Sequence, residues 1–312
     1  MFALRGIAVF LTFFVVLYCL FSLLVAVTWH SLRLLHTTSE RSVANLLFAW
    51  RVLPMAAATL ITLGFVVPSF QLLEPRSIDE DMGAIPLVLA GCALLLIACG
   101  LFRVGTAQAL TSRVVAGWMN GANPLSTEAE AVAFRAGPSV PPLTLVGVWK
   151  PRVLVSESTV SLLSREELHI ALKHEIAHVR SRDNLKKLVF RFSPFPGMAM
   201  LESAWSQAAE LAADDAAVSN LNDAVDLAAA LVKLSRLAPV EAAPACTVGF
   251  VTGSIRTRVA RLLAWDENSR LKEQPSHRWY AIPPALAAVL CLVATYAPAL
   301  QLTHQITEWL VR

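Results

Sequence analysis

The sequence predicts a mainly α-helical, polytopic membrane protein with four transmembrane helices and an α+β domain inserted between the third and fourth. Of its 312 residues, 56% are hydrophobic. Only 16% are charged, whereas soluble domains average about 25%. The third observation is the distribution of apolar residues along the sequence, which are concentrated in four blocks separated by polar segments. A single compact core does not account for that arrangement.

Each apolar block is long enough to cross a bilayer as a helix. About 20 apolar residues are needed to traverse ~30 Å of hydrocarbon. Helices buried in a soluble core, which are the alternative interpretation, usually have only about 10–14 apolar residues. The first block is also longer than the roughly 7–15-residue apolar region of a signal peptide, so we expect it to be retained. The predicted spans cover about residues 6–29, 49–70, 84–103 and 279–300.

These spans define the predicted domain organisation. The first three helices and their short loops take up the first third of the chain, and the inserted domain occupies most of the remainder. A fourth helix and a short tail follow it. The boundaries are 1–104 for the three helices, 105–278 for the inserted domain, 279–300 for the fourth helix and 301–312 for the tail.

Loop charge predicts the orientation, because cytoplasmic loops carry an excess of Lys and Arg. Arg33 and Arg41 lie between the first two spans, whereas Arg76 is the one basic residue in the loop between the second and third. We therefore expect a multi-pass protein of the inner, cytoplasmic membrane with the inserted domain in the cytoplasm and both termini outside. The net charge of +3 is too small to predict direct nucleic acid binding.

The inserted domain shows strand and helix patterns in turn. A helix is predicted through "TAQALTSRVVAGWMN", and "LTLVGV" and "RVLVS" read as two short strands in a hairpin-like arrangement. We expect the edge of "RVLVS" to accept an extended peptide by strand addition. Ser164 and Glu167 form a capping-box pattern that predicts a helix start. Nothing interrupts the helical pattern until about Ser193–Pro196, in "FRFSPFPGMAM", which fits either the membrane interface or the core.

This helix carries the pattern H-E-x-x-H at His174, Glu175 and His178. Residues four apart lie on one face of a helix, so both histidines can bind one metal ion. Zinc accepts histidine nitrogens and lowers the pKa of bound water to about 7. Glu175 is then the predicted catalytic base. The alternative is a solvated helix that matches the pattern by chance.

A third metal ligand is predicted in "AWSQAAELAADDAAVSN", a second helical segment. Glu210 and Asp214 are four residues apart and share a face. Glu210 can complete a site for one Zn2+ per chain. Asp214 can accept the other ring N–H of a metal-bound histidine and orient it. The alternative is a plain solvated acidic face.

The segments "HEIAHVRSRD" and "ELAAD" resemble the gluzincin membrane metallopeptidases. The M56 family, the sensor-transducer peptidases related to beta-lactam resistance, has three spans before the catalytic region and one after it, as here. The stretches "VGVWKPRVLVS" and "IRTRVARLL" also resemble M56 patterns. The M48 family of HtpX-like and CAAX-prenyl endopeptidases is the runner-up, although HtpX-like members place spans between H-E-x-x-H and the third ligand.

The resemblance implies that the inserted domain is a cytoplasmic gluzincin-type zinc metallopeptidase. It also implies an integral-membrane endopeptidase that transduces a signal by cleaving a cytoplasmic protein, such as a transcriptional repressor, or itself. The lipid bilayer and a protein or peptide substrate are the expected partners. Two alternatives stay open: a catalytically silent membrane transducer or scaffold, and a quality-control protease of membrane proteins.

One departure from the family pattern limits these expectations. The sequence ends at Arg312 and contains no counterpart of the extracellular penicillin-binding sensor domain. We therefore expect that this chain alone does not sense beta-lactams, and that a signal enters through the spans, the acidic outer loop or a separate sensor partner. Arg258 and Tyr280 are weak candidates for an oxyanion donor, and membrane-surface anchoring is the preferred interpretation of both.

Overall fold

The structure is a computed structural model that divides the chain into two compact units. The membrane unit comprises Met1–Arg33, Trp50–Cys99 and Gln274–Arg312, and the site unit comprises Leu34–Ala49 and Gly100–Glu273. The residues described are 2–29, 39–75, 83–125, 133–137, 140–237, 248–249, 255–265 and 282–311, with side chains described except at 248–249, 282–294 and 310–311.

Among these residues, three helices are long and apolar enough to cross a membrane, and they cover the three segments predicted as spans before residue 104. The first is α1 (Phe2–Thr28). The second is composite, with α2 (Glu40–Ile61), a π-helical turn (Thr62–Val66) and α3 (Val67–Leu73) in sequence. The third, α4 (Ala84–Met119), continues beyond its predicted end at residue 103, because the following segment "TAQALTSRVVAGWM" extends the same helix without a break.

The fourth predicted span, 279–300, begins outside the described residues. It continues in α11 (Ile282–Val311), and as a membrane span it stays a prediction. The segment predicted as a short tail is helical as far as Val311. The hydroxyl groups of Thr303 and Thr307 there donate to carbonyl oxygens one turn earlier, at 2.7 and 2.8 Å.

A five-stranded sheet forms one layer of the site unit, in the order β1-β2-β4-β3-β5. The predicted hairpin is confirmed, since β3 and β4 pair antiparallel. The prediction that "RVLVS" offers a free edge is wrong, because β2 pairs parallel to β4 on the side away from β3. The strands are β1 (Asn123–Pro124), β2 (Ala133–Ala136), β3 (Leu143–Val146), β4 (Arg152–Ser156) and β5 (Val248–Gly249).

Helices build the rest of the site unit. The predicted capping box is present at the start of α6: the Glu167 backbone N–H donates to Ser164 Oγ at 3.1 Å, and the Ser164 N–H donates to Glu167 Oε2 at 2.8 Å. The helices are α5 (Glu157–Leu162), α6 (Arg165–Ser181), α7 (Asp183–Phe192), α8 (Ala199–Ala217), α9 (Leu221–Ser235) and α10 (Ile255–Leu263).

The prediction that α6 continues uninterrupted to Ser193–Pro196 is wrong. Arg182 takes a left-handed conformation, with φ 54° and ψ 40°, and ends the helix. This conformation costs a non-glycine residue about 1–2 kcal/mol. The break turns the chain so that Asp183, the first residue of α7, reaches back to His178 at 2.7 Å. A buried polar contact therefore offsets the backbone cost.

The core of the site unit places α6 against both the sheet and the other helices. Ile170 and Leu172 of α6 are buried in one cluster with Leu145 of β3 and Leu231 of α9. On α7, Phe190 is buried and packs edge-on against Trp205 of α8, with ring centroids 5.0 Å apart. The segment "FRFSPFPGMAM" thus contributes Phe190 to the core. Because α6 packs directly against α8, side chains predicted on separate segments meet.

Candidate metal centre

The two histidines of α6 converge on one point inside the site unit. His174 and His178 are 0% and 1% exposed, and their Nε2 atoms lie 3.2 Å apart. The rings are nearly perpendicular, at 81°. The spacing of four residues puts both side chains on the same face. Both Nε2 atoms are therefore available to one ion.

Glu210 reaches the same point from α8. The side chain is buried, with Oε2 3.6 Å from His174 Nε2 and Oε1 3.7 Å from His178 Nε2. One ligand atom from each of the three residues lies within 4.8 Å of the others. The structure thus brings together the three residues that the sequence predicts as metal ligands.

Each histidine has a carboxylate beside its other ring nitrogen. Asp214 Oδ1 lies 3.0 Å from His174 Nδ1, and Asp183 Oδ2 lies 2.7 Å from His178 Nδ1. A carboxylate at Nδ1 favours the tautomer that carries its proton there and leaves Nε2 as a metal ligand. Asp214 is where its spacing from Glu210 predicts it.

The sequence analysis missed Asp183. On a continuous helix, a residue five positions after His178 would point to a different side. The left-handed conformation of Arg182 turns the chain so that the Asp183 side chain reaches His178. No Gly or Pro marks that break in the sequence. The quoted segment "HEIAHVRSRD" ends on this residue, so the resemblance was the one available signal.

Arg258 is part of this centre. It lies on α10, is 3% exposed, and donates from Nε and Nη2 to the two oxygens of Asp214, at 2.7 and 2.6 Å. A third bond runs from Nη1 to Glu210 Oε2 at 2.9 Å. Membrane-surface anchoring is therefore wrong for this buried arginine, and its role as an oxyanion donor stays a prediction. Tyr280, the weaker candidate, lies outside the described residues.

The protonation of the cluster follows from burial and charge. Burial lowers the pKa of His174, but the carboxylates of Asp214 and Glu210 outweigh it and raise the pKa to about 9. Burial raises the pKa of Asp214, but His174 and Arg258 outweigh it and bring the value to about 2. The pKa of Glu210 is lowered in the same way, with the two histidines and Arg258 outweighing burial. Without a metal, the site holds a protonated imidazole between ionised carboxylates.

Glu175 differs from the other carboxylates. It is 0% exposed, and neither of its oxygens has a hydrogen-bond partner in the described part of the chain. Burial raises its pKa to about 6, with both histidines opposing that rise. An ionisable group buried without a partner costs folding free energy. Such groups cluster at functional sites.

The donor set fits a divalent cation such as zinc. Two nitrogen ligands of the same tetrahedral ion, each about 2.0–2.1 Å from it, lie about 3.3 Å from each other. The Nε2 atoms of His174 and His178 are 3.2 Å apart, which matches this distance. Two imidazoles and one carboxylate leave a fourth tetrahedral position open, as in catalytic zinc sites.

The described residues thus include three helices long and apolar enough to cross a membrane and a buried His/His/Glu cluster on two packed helices. A family model described as BlaR1 peptidase M56 matches residues 126–262. This match confirms the predicted resemblance to M56, a metallopeptidase family, over the region that contains all the residues of the cluster. A search of curated proteins found no match to the chain.

Proposed function

We propose that this chain is an integral-membrane zinc-dependent endopeptidase of the cytoplasmic membrane. The observation that carries the proposal is the buried cluster of His174, His178 and Glu210 beside the unpaired carboxylate of Glu175. The M56 match supports the peptidase assignment, and the three apolar helices support the membrane location.

Zinc is the proposed metal, held by Nε2 of both histidines and by the carboxylate of Glu210. When bound, it polarises the scissile carbonyl and makes water more acidic. Asp183 accepts the Nδ1 proton of His178, and the Asp214 carboxylate lies 3.0 Å from Nδ1 of His174. Both carboxylates thereby keep the Nε2 atoms directed at the metal. Burial of all these groups excludes bulk water, which strengthens their electrostatic effect on a reacting peptide.

Glu175 is the proposed general base. With a pKa near 6 its carboxylate is mostly ionised at neutral pH. It accepts a proton from the attacking water and passes it to the leaving amine. A base with a pKa close to the working pH can both take and return a proton at low cost. Neither oxygen has a hydrogen-bond partner among the described residues, so both can accept a proton from the reactants.

The proposed substrate is a cytoplasmic protein, such as a transcriptional repressor, or the chain itself, so that cleavage transmits a signal. The support for this part is the M56 match together with the charge distribution that predicts a cytoplasmic site unit. A separate sensor partner in the membrane is the proposed source of the signal.

The first experiment measures zinc per chain in detergent-purified protein. We expect about one zinc in the wild type, lost in His178→Ala and in Glu210→Ala, because each substitution removes one proposed ligand. A wild-type chain without zinc, or zinc retained in Glu210→Ala, contradicts the proposed site.

The second experiment tests turnover in the zinc-loaded protein, with fluorescent casein and the chain itself as substrates. Glu175→Gln keeps the side-chain volume but cannot accept the proton, so it should retain zinc and lose about 10²–10⁴-fold in cleavage rate. A wild type that binds zinc but cleaves no faster than Glu175→Gln would instead identify a catalytically silent transducer.

A further inference from the structure

We propose that Arg258 is a positioning residue of the metal centre. In this proposal the Arg258 guanidinium holds one oxygen of Glu210, so that this carboxylate binds the metal through its other oxygen. The same guanidinium holds the Asp214 carboxylate against His174. The inference rests on the proposed metal site and deepens it. It assigns Arg258 a different role from the oxyanion donor suggested by the family resemblance.

The contacts of Arg258 show a planar group that ties two carboxylates together. Two bonds reach Asp214 and one reaches Glu210, all between 2.6 and 2.9 Å. Glu210 and Asp214 lie one turn apart on α8, whereas Arg258 comes from α10. A guanidinium presents its donors in a rigid fork, so it fixes the orientation of both acceptors as well as their charge.

The bond to Glu210 restricts how this carboxylate can bind a metal. Oε2 accepts from Arg258 Nη1 at 2.9 Å and lies 3.6 Å from His174 Nε2. Oε1 lies 3.7 Å from His178 Nε2 and is the oxygen that this Arg258 bond leaves for the metal. A carboxylate that rotates freely can bind a metal through both oxygens. Arg258 therefore favours binding through one oxygen, which keeps a coordination position open for the reactants.

Through its contact with Asp214, Arg258 also helps to orient His174. Asp214 Oδ1 accepts from Arg258 Nη2 and lies 3.0 Å from His174 Nδ1. All three side chains are at least nine-tenths buried. Arg258 thus supports two of the three proposed ligands, Glu210 directly and His174 through Asp214.

Simple electrostatics and positioning predict opposite changes in metal affinity when Arg258 is replaced. A guanidinium close to the metal site repels a divalent cation, so charge alone predicts tighter metal binding when Arg258 is removed. Positioning predicts weaker binding. Arg258→Lys separates the two effects, because lysine keeps the charge but has no planar fork with which to hold both carboxylates.

The test uses the full chain in detergent, stripped of metal and titrated with zinc against a chromophoric chelator. Arg258→Lys should bind zinc about 10–100-fold more weakly than the wild type, and the visible absorption of its cobalt(II) form should change because the coordination of Glu210 changes. Arg261→Lys is the matched control: one turn further along α10, Arg261 pairs with Asp215 at 2.7 Å and is only part-buried. Its zinc affinity should equal that of the wild type.

A second comparison does not depend on how well Arg258→Lys folds. Arg258→Met combined with Asp214→Asn removes the charges of Arg258 and Asp214 together, so that Asp214 is not left charged without its arginine. Asparagine still offers an oxygen to His174. This double variant should bind zinc about tenfold more weakly than Asp214→Asn alone, because Glu210 is no longer held.

The outcomes separate this inference from the proposed function. Unchanged or tighter zinc binding in Arg258→Lys, with an unchanged cobalt spectrum, overturns the positioning role. Equal affinity of the double variant and Asp214→Asn does the same. If the wild type itself binds no zinc, the proposed function fails, and with it the site on which this inference rests.

Discussion

Replacing Asp183 by alanine should weaken metal binding, although Asp183 is not one of the proposed ligands. Its Oδ2 lies 2.7 Å from His178 Nδ1, and its Oδ1 accepts from Lys186 Nζ at 3.2 Å. Burial raises the pKa of Asp183, but hydrogen bonding and charge from His178, together with Lys186, outweigh it and lower the pKa. The carboxylate is therefore ionised and is a strong acceptor for the Nδ1 proton.

Two separate estimates give the size of the effect. Removing the acceptor leaves a buried Nδ1–H without this partner, which costs about 1–3 kcal/mol. Loss of a group that orients a metal-bound histidine typically reduces affinity about 10–100-fold, and 1.4 kcal/mol corresponds to about tenfold. Both estimates predict that the zinc Kd of Asp183→Ala increases about 10–100-fold.

The assay is a zinc titration against a competing chelator, with Asp183→Asn as the matched control. Asparagine keeps an oxygen acceptor of the same shape, so its zinc Kd should increase less than tenfold. Lys186→Gln removes the other partner of Asp183 and should also have the smaller effect. An Asp183→Ala chain that binds zinc within twofold of the wild type would refute the reasoning, as would equal losses in the alanine and asparagine variants.

Three further predictions concern backbone geometry and protonation. Gly100→Ala should lower the midpoint temperature of thermal unfolding in detergent, because a Cβ there would overlap the carbonyl oxygen of Phe192. Gly105→Ala on the same helix is the control: its Cβ meets no atom within 4 Å, so it should be tolerated. Arg182→Gly should raise that midpoint by relieving the left-handed strain, a gain of up to about 1 kcal/mol; a lower midpoint would contradict this. Zinc affinity should rise about tenfold per pH unit between pH 6.5 and 8.5 and level off above about 9, because the metal displaces the proton of His174; a flat profile would contradict it.

The sequence predicted the candidate metal ligands because helical periodicity places each pair of residues on one face of its own helix. His174 and His178 share a face of α6, and the capping box at Ser164 fixes where that helix begins. Glu210 and Asp214 repeat the same spacing on α8. The apolar spans were predictable for a similar reason, since length and composition are local properties.

Tertiary pairing was not predictable in the same way. The second partner of β4 is β2, a short strand with no clear alternation, and parallel pairing leaves no turn signal between neighbours. The free edge expected for "RVLVS" was therefore wrong. The helix through "TAQALTSRVVAGWMN" was predicted, but its continuity with the third span was not, because the boundary was placed where the apolar residues end.

The groups that orient the metal ligands show how far such reasoning extends. Asp214 could be predicted because it is one turn from Glu210. Asp183 depends on a left-handed residue that no glycine marks, and Arg258 lies 44 positions after Asp214 in the sequence. Spacing along the chain determines a pair on one helix, but it cannot identify which distant arginine neutralises that pair. The structure buries both carboxylates, and two buried carboxylates on one helix face require a cation or a metal nearby. The packing of α10 supplies that cation as Arg258.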